Sequence, residues 1–436
     1  MKRAKMWKWS IIGVSLLVVA APLVLLTQSQ VEMTPNGVHT RLLLPAGSKK
    51  VGIHLYSGSG DAPRIPQFLD GPIVRTAANG EWAATWFCEN AVHRQSGNGD
   101  ELAIECGGKQ TRYPVRAVAA QPAARIDAPA RMLVLSDIEG NAAFLDNALR
   151  ELGVQDADGR WTYGPGHLVI AGDAVDRGRD VFAVLWRLYG LSLQAAEAGG
   201  AVQLVLGNHE QYMLRGNMSR ANREHIHTTE RMGGFVQAFG ADTVLGAWLR
   251  RQPVIVQAGN VVVTHGGISP QVAASGLSSE QLNEAQRRYW QGPASQSAAL
   301  DAVLGPAGLT QYRGYFDESE SESDGPRATP AQVAQALEHF GADTIVVGHT
   351  PVEQITPLYQ GRVYAIDVNT RTAASEALLF EHGTARIVPL RTRRMLAPER
   401  PPVKTRPLNL ADAGDWRIIG GLVERSRALS QLSYPY

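Results

Sequence analysis

The sequence predicts an α/β catalytic domain, preceded by a small β-rich domain and an N-terminal membrane anchor. Three observations carry that prediction. From residue 131 onward short apolar runs alternate with stretches of helical periodicity, the pattern of strands crossing over through helices. Before residue 121 the chain is broken by Gly, Asn, Asp and Ser clusters into short strand-like pieces. At its start, a basic flank leads into an apolar run without charge.

The 436 residues suffice for a sizeable core and more than one domain. Hydrophobic residues make up 44% and charged residues 19%, which excludes a disordered chain. A formal net charge of +1 and the lack of a basic stripe with interleaved aromatics argue against nucleic acid as a partner.

Residues 1–30 read as a cytoplasmic basic flank and a transmembrane signal anchor. Lys2, Arg3, Lys5 and Lys8 precede a charge-free run from Trp9 to Val31. A spanning helix needs roughly 17–25 apolar residues, so the run is near the lower limit. Trp7 and Trp9 sit where an interfacial aromatic belt would lie. No Ala-x-Ala site follows the apolar core, so an uncleaved anchor is expected, with a cleaved signal as the alternative. The positive flank stays inside. The expectation is therefore a single-pass inner-membrane protein with its catalytic domain in the periplasm, or a periplasmic or secreted protein if the signal is removed. In such a compartment Cys88 and Cys106 can close one disulfide, two buried free thiols being the alternative.

Residues 31–120 read as the small β-rich domain, with strand candidates at 40–44, 51–56, 82–87, 102–105 and 113–118. They show no catalytic constellation. Residues 121–130, rich in Ala and Pro, read as a linker. Residues 131–395 form the catalytic domain, with strands expected at 132–135, 167–171, 202–206, 254–256, 261–264, 344–347, 363–366 and 378–380, and helices at 142–152 and 181–195. Residues 396–436 are a tail without an assigned role. The acidic stretch Asp317–Asp324 reads as a solvated turn.

Five motifs directly follow five of these strands. They are Asp137-Ile138-Glu139-Gly140-Asn141, Gly172-Asp173-Ala174-Val175-Asp176-Arg177-Gly178, Gly207-Asn208-His209-Glu210, His265-Gly266-Gly267 and Gly348-His349-Thr350-Pro351. Each joins an oxygen or imidazole ligand to glycine. Strand ends hold ligands rigidly, and glycine lets the backbone turn sharply beside a small charged group. Carboxylates, an amide oxygen and imidazoles together suit divalent transition metals. One such motif would be weak, since a single histidine after a strand is commonly a core or surface residue. Five in this order are not explained by packing.

The set resembles the calcineurin-like metallophosphoesterases, and the Asp-Arg-Gly and Gly-Asn-His-Glu forms resemble the phosphoprotein phosphatase branch. The stretch Tyr163-Gly164-Pro165-Gly166-His167 is similar to a bacterial subgroup. The resemblance covers roughly residues 131–390 and implies a four-layer α/β/β/α sandwich with two divalent metal ions in a cleft above the sheets. It implies one metal held by Asp137, Glu139 and Asp173, and a second held by Asp173, Asn208, His265 and His349. In such pairs the ions lie roughly 3.5–4 Å apart and share an activated water. Position 139 departs from the common pattern, which has histidine there. A carboxylate can take the same corner and shifts preference toward harder ions, so Mn is expected, with Fe, Zn and Mg as alternatives.

The same resemblance makes His209 the acid that protonates the leaving group and Asp176 its orienting partner. It gives Arg177, and less directly Arg313, to the phosphate oxygens. Glu210 is expected to support the ligands from behind. His225 and His227 read as solvated residues of an insertion beside the cleft. The function implied is hydrolysis of a phosphomonoester on a protein or small molecule. The alternatives are a nucleotide or dinucleoside polyphosphate hydrolase, and a non-catalytic phosphate-recognition module with a degraded site. A module is disfavoured because one altered ligand among so many intact ones is not the usual pattern of decay.

Overall fold

The structure, a computed structural model, describes residues 24–33, 40–47, 49–55, 68–77, 79–116, 121–291, 297–316, 327–368, 374–392 and 404–420. The anchor expected over residues 1–30 lies mostly outside them. Among the described residues no helix is long and apolar enough to cross a membrane. The acidic stretch 317–324 also lies outside them.

The chain falls into two compact units, residues 1–64 with 399–432 and residues 65–398 with 433–436. The first is a four-stranded antiparallel sheet of β1 (Gln30–Met33), β2 (Thr40–Ala46), β3 (Lys49–Leu55) and the C-terminal β20 (Lys404–Pro407). β20 pairs with β1, Gln30 opposite Pro407. Its small core joins Val31 and Leu42 to Leu408 and Ile418. The tail to which sequence assigned no role thus completes a sheet begun near the N-terminus.

In the second unit come β4 (Leu69–Thr76), β5 (Glu81–Cys88) and β6 (Ala91–Asn98), an antiparallel sheet, then the hairpin β7 (Glu101–Cys106) and β8 (Lys109–Pro114). Along β7 Leu102, Ile104 and Cys106 are buried while Glu101, Ala103 and Glu105 are exposed, the period of two that a one-sided strand requires. A disulfide joins Cys88 to Cys106, with Cα atoms 5.8 Å apart. The strands expected to form one β-rich domain over 31–120 are therefore divided: β1–β3 belong to the first unit and β4–β8 to the second. The reason is hydrophobic. Phe87, Leu102, Ile104 and Tyr113 share one core with the catalytic domain, and an 80-residue β module has too little core of its own to stand apart cheaply.

The rest of the second unit is built on two sheets. One has the order β12 (Ala201–Leu204), β11 (His167–Ile170), β10 (Arg131–Leu135), β18 (Glu376–Glu381), β19 (Thr384–Pro389). The other has the order β16 (Thr356–Leu358), β17 (Val363–Ala365), β15 (Thr344–Val347), β14 (Val261–Thr264), β13 (Ile255–Ala258), β9 (Arg125–Ile126). β9 lies in the expected linker and pairs in parallel with β13, so that segment is partly sheet. Alternate residues separate the layers. Met132, Val134, Val169, Leu378 and Phe380 meet Val256, Val261, Val263 and Val346 between the sheets. Leu133, Leu135, Leu168 and Ile170 face outward to helices α1 (Ala142–Glu151) and α2 (Val181–Glu197), and Ile255, Val262, Ile345 and Val347 turn to the opposite outer face. A one-residue slip of any of these strands would exchange its two faces. This is the four-layer α/β/β/α sandwich that the resemblance to the metallophosphoesterases implies.

The β4–β8 layer packs on α2. Trp186 Nε1 donates to the Pro72 carbonyl at 3.0 Å, and the Tyr113 and Trp186 rings meet edge to face at 5.5 Å.

Candidate active site

The five motifs emerge from the carboxyl ends of β10, β11, β12, β14 and β15. β10, β11 and β12 run parallel in one sheet, and β14 and β15 run parallel in the other, so their ends collect at one edge of the sandwich. Backbone conformation is unusual there. Asp137, Glu139, Asp173, Asp176, Arg177 and His349 all have φ between 49° and 67°, a region that costs a non-glycine residue about 1–3 kcal/mol and clusters at functional sites. The glycines allow close approach: a Cβ at Gly207 would lie 2.2 Å from Asp173 Oδ1, and one at Gly348 would lie 2.5 Å from Asp137 Oδ2.

At the centre, His265 Nε2 lies 3.1 Å from Asp173 Oδ2 and 3.0 Å from Asn208 Oδ1. His265 Nδ1 is 2.8 Å from the Ala171 carbonyl and must donate to it, so in the neutral ring the Nε2 lone pair is the one turned toward the two oxygens. With the ring neutral, three lone-pair donors face one another, an arrangement that suits a cation; with no cation between them, a proton on His265 Nε2 takes that place, in keeping with its raised pKa. Among the described residues His349 Nε2 is buried without a hydrogen-bond partner, and the donor atoms of Asp173, His265 and His349 lie within 4.8 Å of one another. The residues fit a divalent metal.

The electrostatics agree. Burial, with the charges of Asp367, Asp173 and Glu139, holds the Asp137 carboxyl well above its usual range. Burial outweighs Arg177 at Glu139 and pushes it up to about 7. Asp173 is lowered, because the charges of His265 and His209 overcome its burial. His265 is raised against its own burial by Asp173, and His349 is lowered by burial and by the charge of His265. Carboxylates crowded out of water in this way call for positive charge.

Beside this cluster stands His209, at the start of α3 (Asn208–Leu214). Its Nδ1 is 3.0 Å from Asp176 Oδ2, its Nε2 is 3.6 Å from Asp173 Oδ2, and its backbone N–H donates to Asp173 Oδ1 at 3.0 Å. Its pKa is raised: burial works against this, but Asp173 and Asp176 prevail. Glu210 accepts the backbone N–H groups of Gly207, Asp173 and Ala174 at 2.8, 3.0 and 2.7 Å, tying the second and third motifs together.

Arg177 Nε meets Glu139 Oε1 at 2.8 Å, with its side chain 55% exposed at the mouth of the site. Glu139 is thus held to the arginine rather than within the His265 cluster. Arg313 Nη1 donates to the His349 carbonyl at 2.8 Å and to Thr350 Oγ1 at 3.1 Å, so it also shapes the turn that carries His349.

Two residues expected in solvent are not there. His225 and His227 lie on α4 (Arg223–Arg231) with 0% and 4% exposure. His225 Nδ1 bonds Asp70 Oδ2 at 2.8 Å, and its ring packs on Phe182, Phe235 and Phe239. The β4–β8 layer covers this helix, which a local reading of a polar run could not anticipate. Two site residues escaped the sequence reading. Ser136 Oγ donates to Asp137 Oδ2. Asp367 is buried at 3% exposure and is, after burial, the strongest influence raising Asp137. Asp367 follows a candidate strand as the other motifs do; no glycine marks it.

Residues 130–353 match the calcineurin-like phosphoesterase family. The chain belongs to that family. In a solved structure, the cold-active protein-tyrosine phosphatase of a psychrophilic Shewanella, 31% identity accompanies a TM-score of 0.66, over 73% of this chain and 96% of that one. The Shewanella-like protein phosphatase 1 of Plasmodium berghei is 25% identical over 253 residues, 54% of this chain and 66% of that protein. The symmetrical bis(5'-nucleosyl)-tetraphosphatase of Erwinia tasmaniensis is 35% identical over 106 residues, 24% of this chain and 35% of that protein. The chain therefore spans just under two thirds of the first of these curated relatives and about a third of the second.

Proposed function

We propose that the protein is a two-metal phosphomonoesterase of the phosphoprotein phosphatase type. The observation that carries this reading is the placement of Asp173 Oδ2 and Asn208 Oδ1 at 3.1 and 3.0 Å from His265 Nε2, next to a histidine held by a buried carboxylate. Asp137, Glu139 and Asp173 would hold one ion, and Asp173, Asn208, His265 and His349 the other. Mn is the ion we favour, with Fe, Zn and Mg as alternatives. Two such ions supply Lewis acidity to the phosphoryl oxygens and make water acidic.

The chain's own groups do the rest. Arg177 binds phosphate oxygens with its guanidinium fork, and Arg313 keeps the His349 turn in place beside them. Asp176 holds His209 Nδ1–H, which keeps Nε2 directed at the reacting centre and favours the imidazolium. From Nε2 the proton passes to the departing oxygen, and the alcohol leaves neutral.

The relatives named as protein phosphatases support a phosphorylated protein as substrate. The tetraphosphatase relative favours a second reading, hydrolysis of dinucleoside polyphosphates. One experiment separates them: metal analysis of the purified protein together with a panel of phosphopeptides, simple monoesters and a dinucleoside tetraphosphate. We expect two divalent ions per chain and highest kcat/KM on the phosphopeptides. Preference for the dinucleotide would select the second reading, and binding of at most one ion with no turnover would make the protein a recognition module.

We further propose an inner-membrane, periplasm-facing location. The basic flank at Lys2–Lys8 with its apolar run supports it, and the Cys88–Cys106 disulfide suits an oxidising compartment. Intact-mass analysis of the membrane-extracted protein should show residues 1–30 retained.

A further inference from the structure

Arg177 has a left-handed backbone with φ of 49°, a conformation its side chain does not favour. What holds it there is the segment 220–222. The Arg177 N–H donates to the Arg220 carbonyl at 3.0 Å, and the Arg177 carbonyl accepts from Asn222 Nδ2 at 2.9 Å. Both backbone groups of Arg177 are thereby taken by one short stretch of chain.

Asn222 is itself fixed. Its Oδ1 accepts the Glu224 N–H at 2.9 Å and caps α4. The helix is pinned from beneath by Asp70 of β4, which accepts from His225 Nδ1 at 2.8 Å and from the Thr228 hydroxyl. All three of these residues are buried. Arg179 Nη1 meets Glu224 Oε2 at 3.2 Å on the same first turn.

We propose that Asn222 is a positioning residue for the phosphate grip. It sets the backbone of Arg177 so that the guanidinium faces the phosphate, and it is anchored through α4 to Asp70 in the β4–β8 layer. That layer is then part of the machinery that orients substrate. The proposal rests on the reading of Arg177 as a phosphate-binding residue.

Asn222 performs two jobs that chemistry can separate. Aspartate caps a helix as well as asparagine does, yet it has no N–H to give the Arg177 carbonyl. The experiment measures Asn222→Asp, Arg177→Ala and the double variant in the full-length, metal-loaded protein. The readouts are KM for para-nitrophenyl phosphate, the inhibition constant of inorganic phosphate, metal content and thermal unfolding. In Asn222→Asp we expect KM and the phosphate inhibition constant to rise together, roughly three- to tenfold, as for loss of one solvent-exposed hydrogen bond that orients the arginine. Metal content and unfolding temperature should stay close to the parent's. In the Arg177→Ala background the same substitution should add almost nothing, because the backbone contact then has no guanidinium left to position. Asn222→Ser, a second cap-competent change with too short a side chain, should reproduce the effect. If Arg177→Ala weakens phosphate binding while Asn222→Asp and Asn222→Ser do not, or if the effects simply add, the positioning role is wrong. If Arg177→Ala leaves phosphate inhibition unchanged, the reading of Arg177 itself falls, and the proposal with it.

Discussion

Replacing Asp176 by asparagine isolates what one buried charge contributes to the proposed acid. Asp176 and His209 are 1% and 3% exposed, and Nδ1 and Oδ2 are 3.0 Å apart. Asparagine keeps the shape and an acceptor but removes the charge. A hydrogen bond to a charged group contributes about 1.5–3 kcal/mol and a neutral one about 0.5–1.5. The imidazolium should therefore lose about 1–2 kcal/mol of support, roughly 5- to 30-fold in kcat. The pH dependence has a definite sign. As the proposed acid, His209 works protonated, so kcat falls as pH rises through its pKa, which Asp173 and Asp176 hold above the usual histidine value. Without Asp176 that pKa drops, and the alkaline limb must move to lower pH. Substrate choice provides a control. An alkyl phosphate, whose leaving oxygen needs the proton, should lose more than para-nitrophenyl phosphate, whose phenolate leaves readily. The assay is kcat against pH for both esters at saturating manganese, with metal content measured on the same samples. Equal losses on the two esters, with the limb unmoved and metal retained, would refute the acid role of the pair.

Other outcomes can be stated more briefly. Glu139→Ala should weaken one metal site and Glu139→His should keep both with a softer metal preference; an alanine variant with unchanged metal content and rate would place Glu139 outside the coordination sphere. Replacing Cys88 and Cys106 with alanine opens a link of sequence separation 18 and should lower unfolding stability by about 3 kcal/mol, read by denaturant titration. His227 is held down to about 4 by burial, whereas the unfolded chain takes up the proton near 6.5. The unfolded state thus binds more protons between those values, and stability should fall as pH drops through that window. His227→Phe should flatten that slope in thermal melts taken from pH 7 to 4.

The strand-end motifs were legible because each is local: an apolar run, a glycine and a ligand within a few residues. The α/β class followed from the same local period, which sends alternate residues such as Leu133 and Val134 to opposite faces, whereas the four-layer arrangement was implied by the family resemblance. The grouping of Asp173, His265 and His349 is what the family resemblance implies; their strands lie in two different sheets, so strand period alone does not bring them together. Asp367, Ser136, Asp70 and Asn222 were not legible. Each is a single polar residue whose meaning lies in a partner far along the chain: Asp70 bonds His225 across 155 positions. Nor does the polar run Glu224–Glu230 reveal that His225 and Thr228 are turned into a core, because burial is decided by what packs above a helix. The division of the β-rich region has the same origin. Strand period identifies β4–β8 as strands, but only the shared core under Phe87, Leu102 and Tyr113 assigns them to the catalytic unit, and only the pairing of β1 with β20 gives the C-terminal tail its place. Sequence determined which groups could do the chemistry. The tertiary structure decided which of them are desolvated together, and desolvation is what turns a carboxylate and an imidazole into a metal site and an acid.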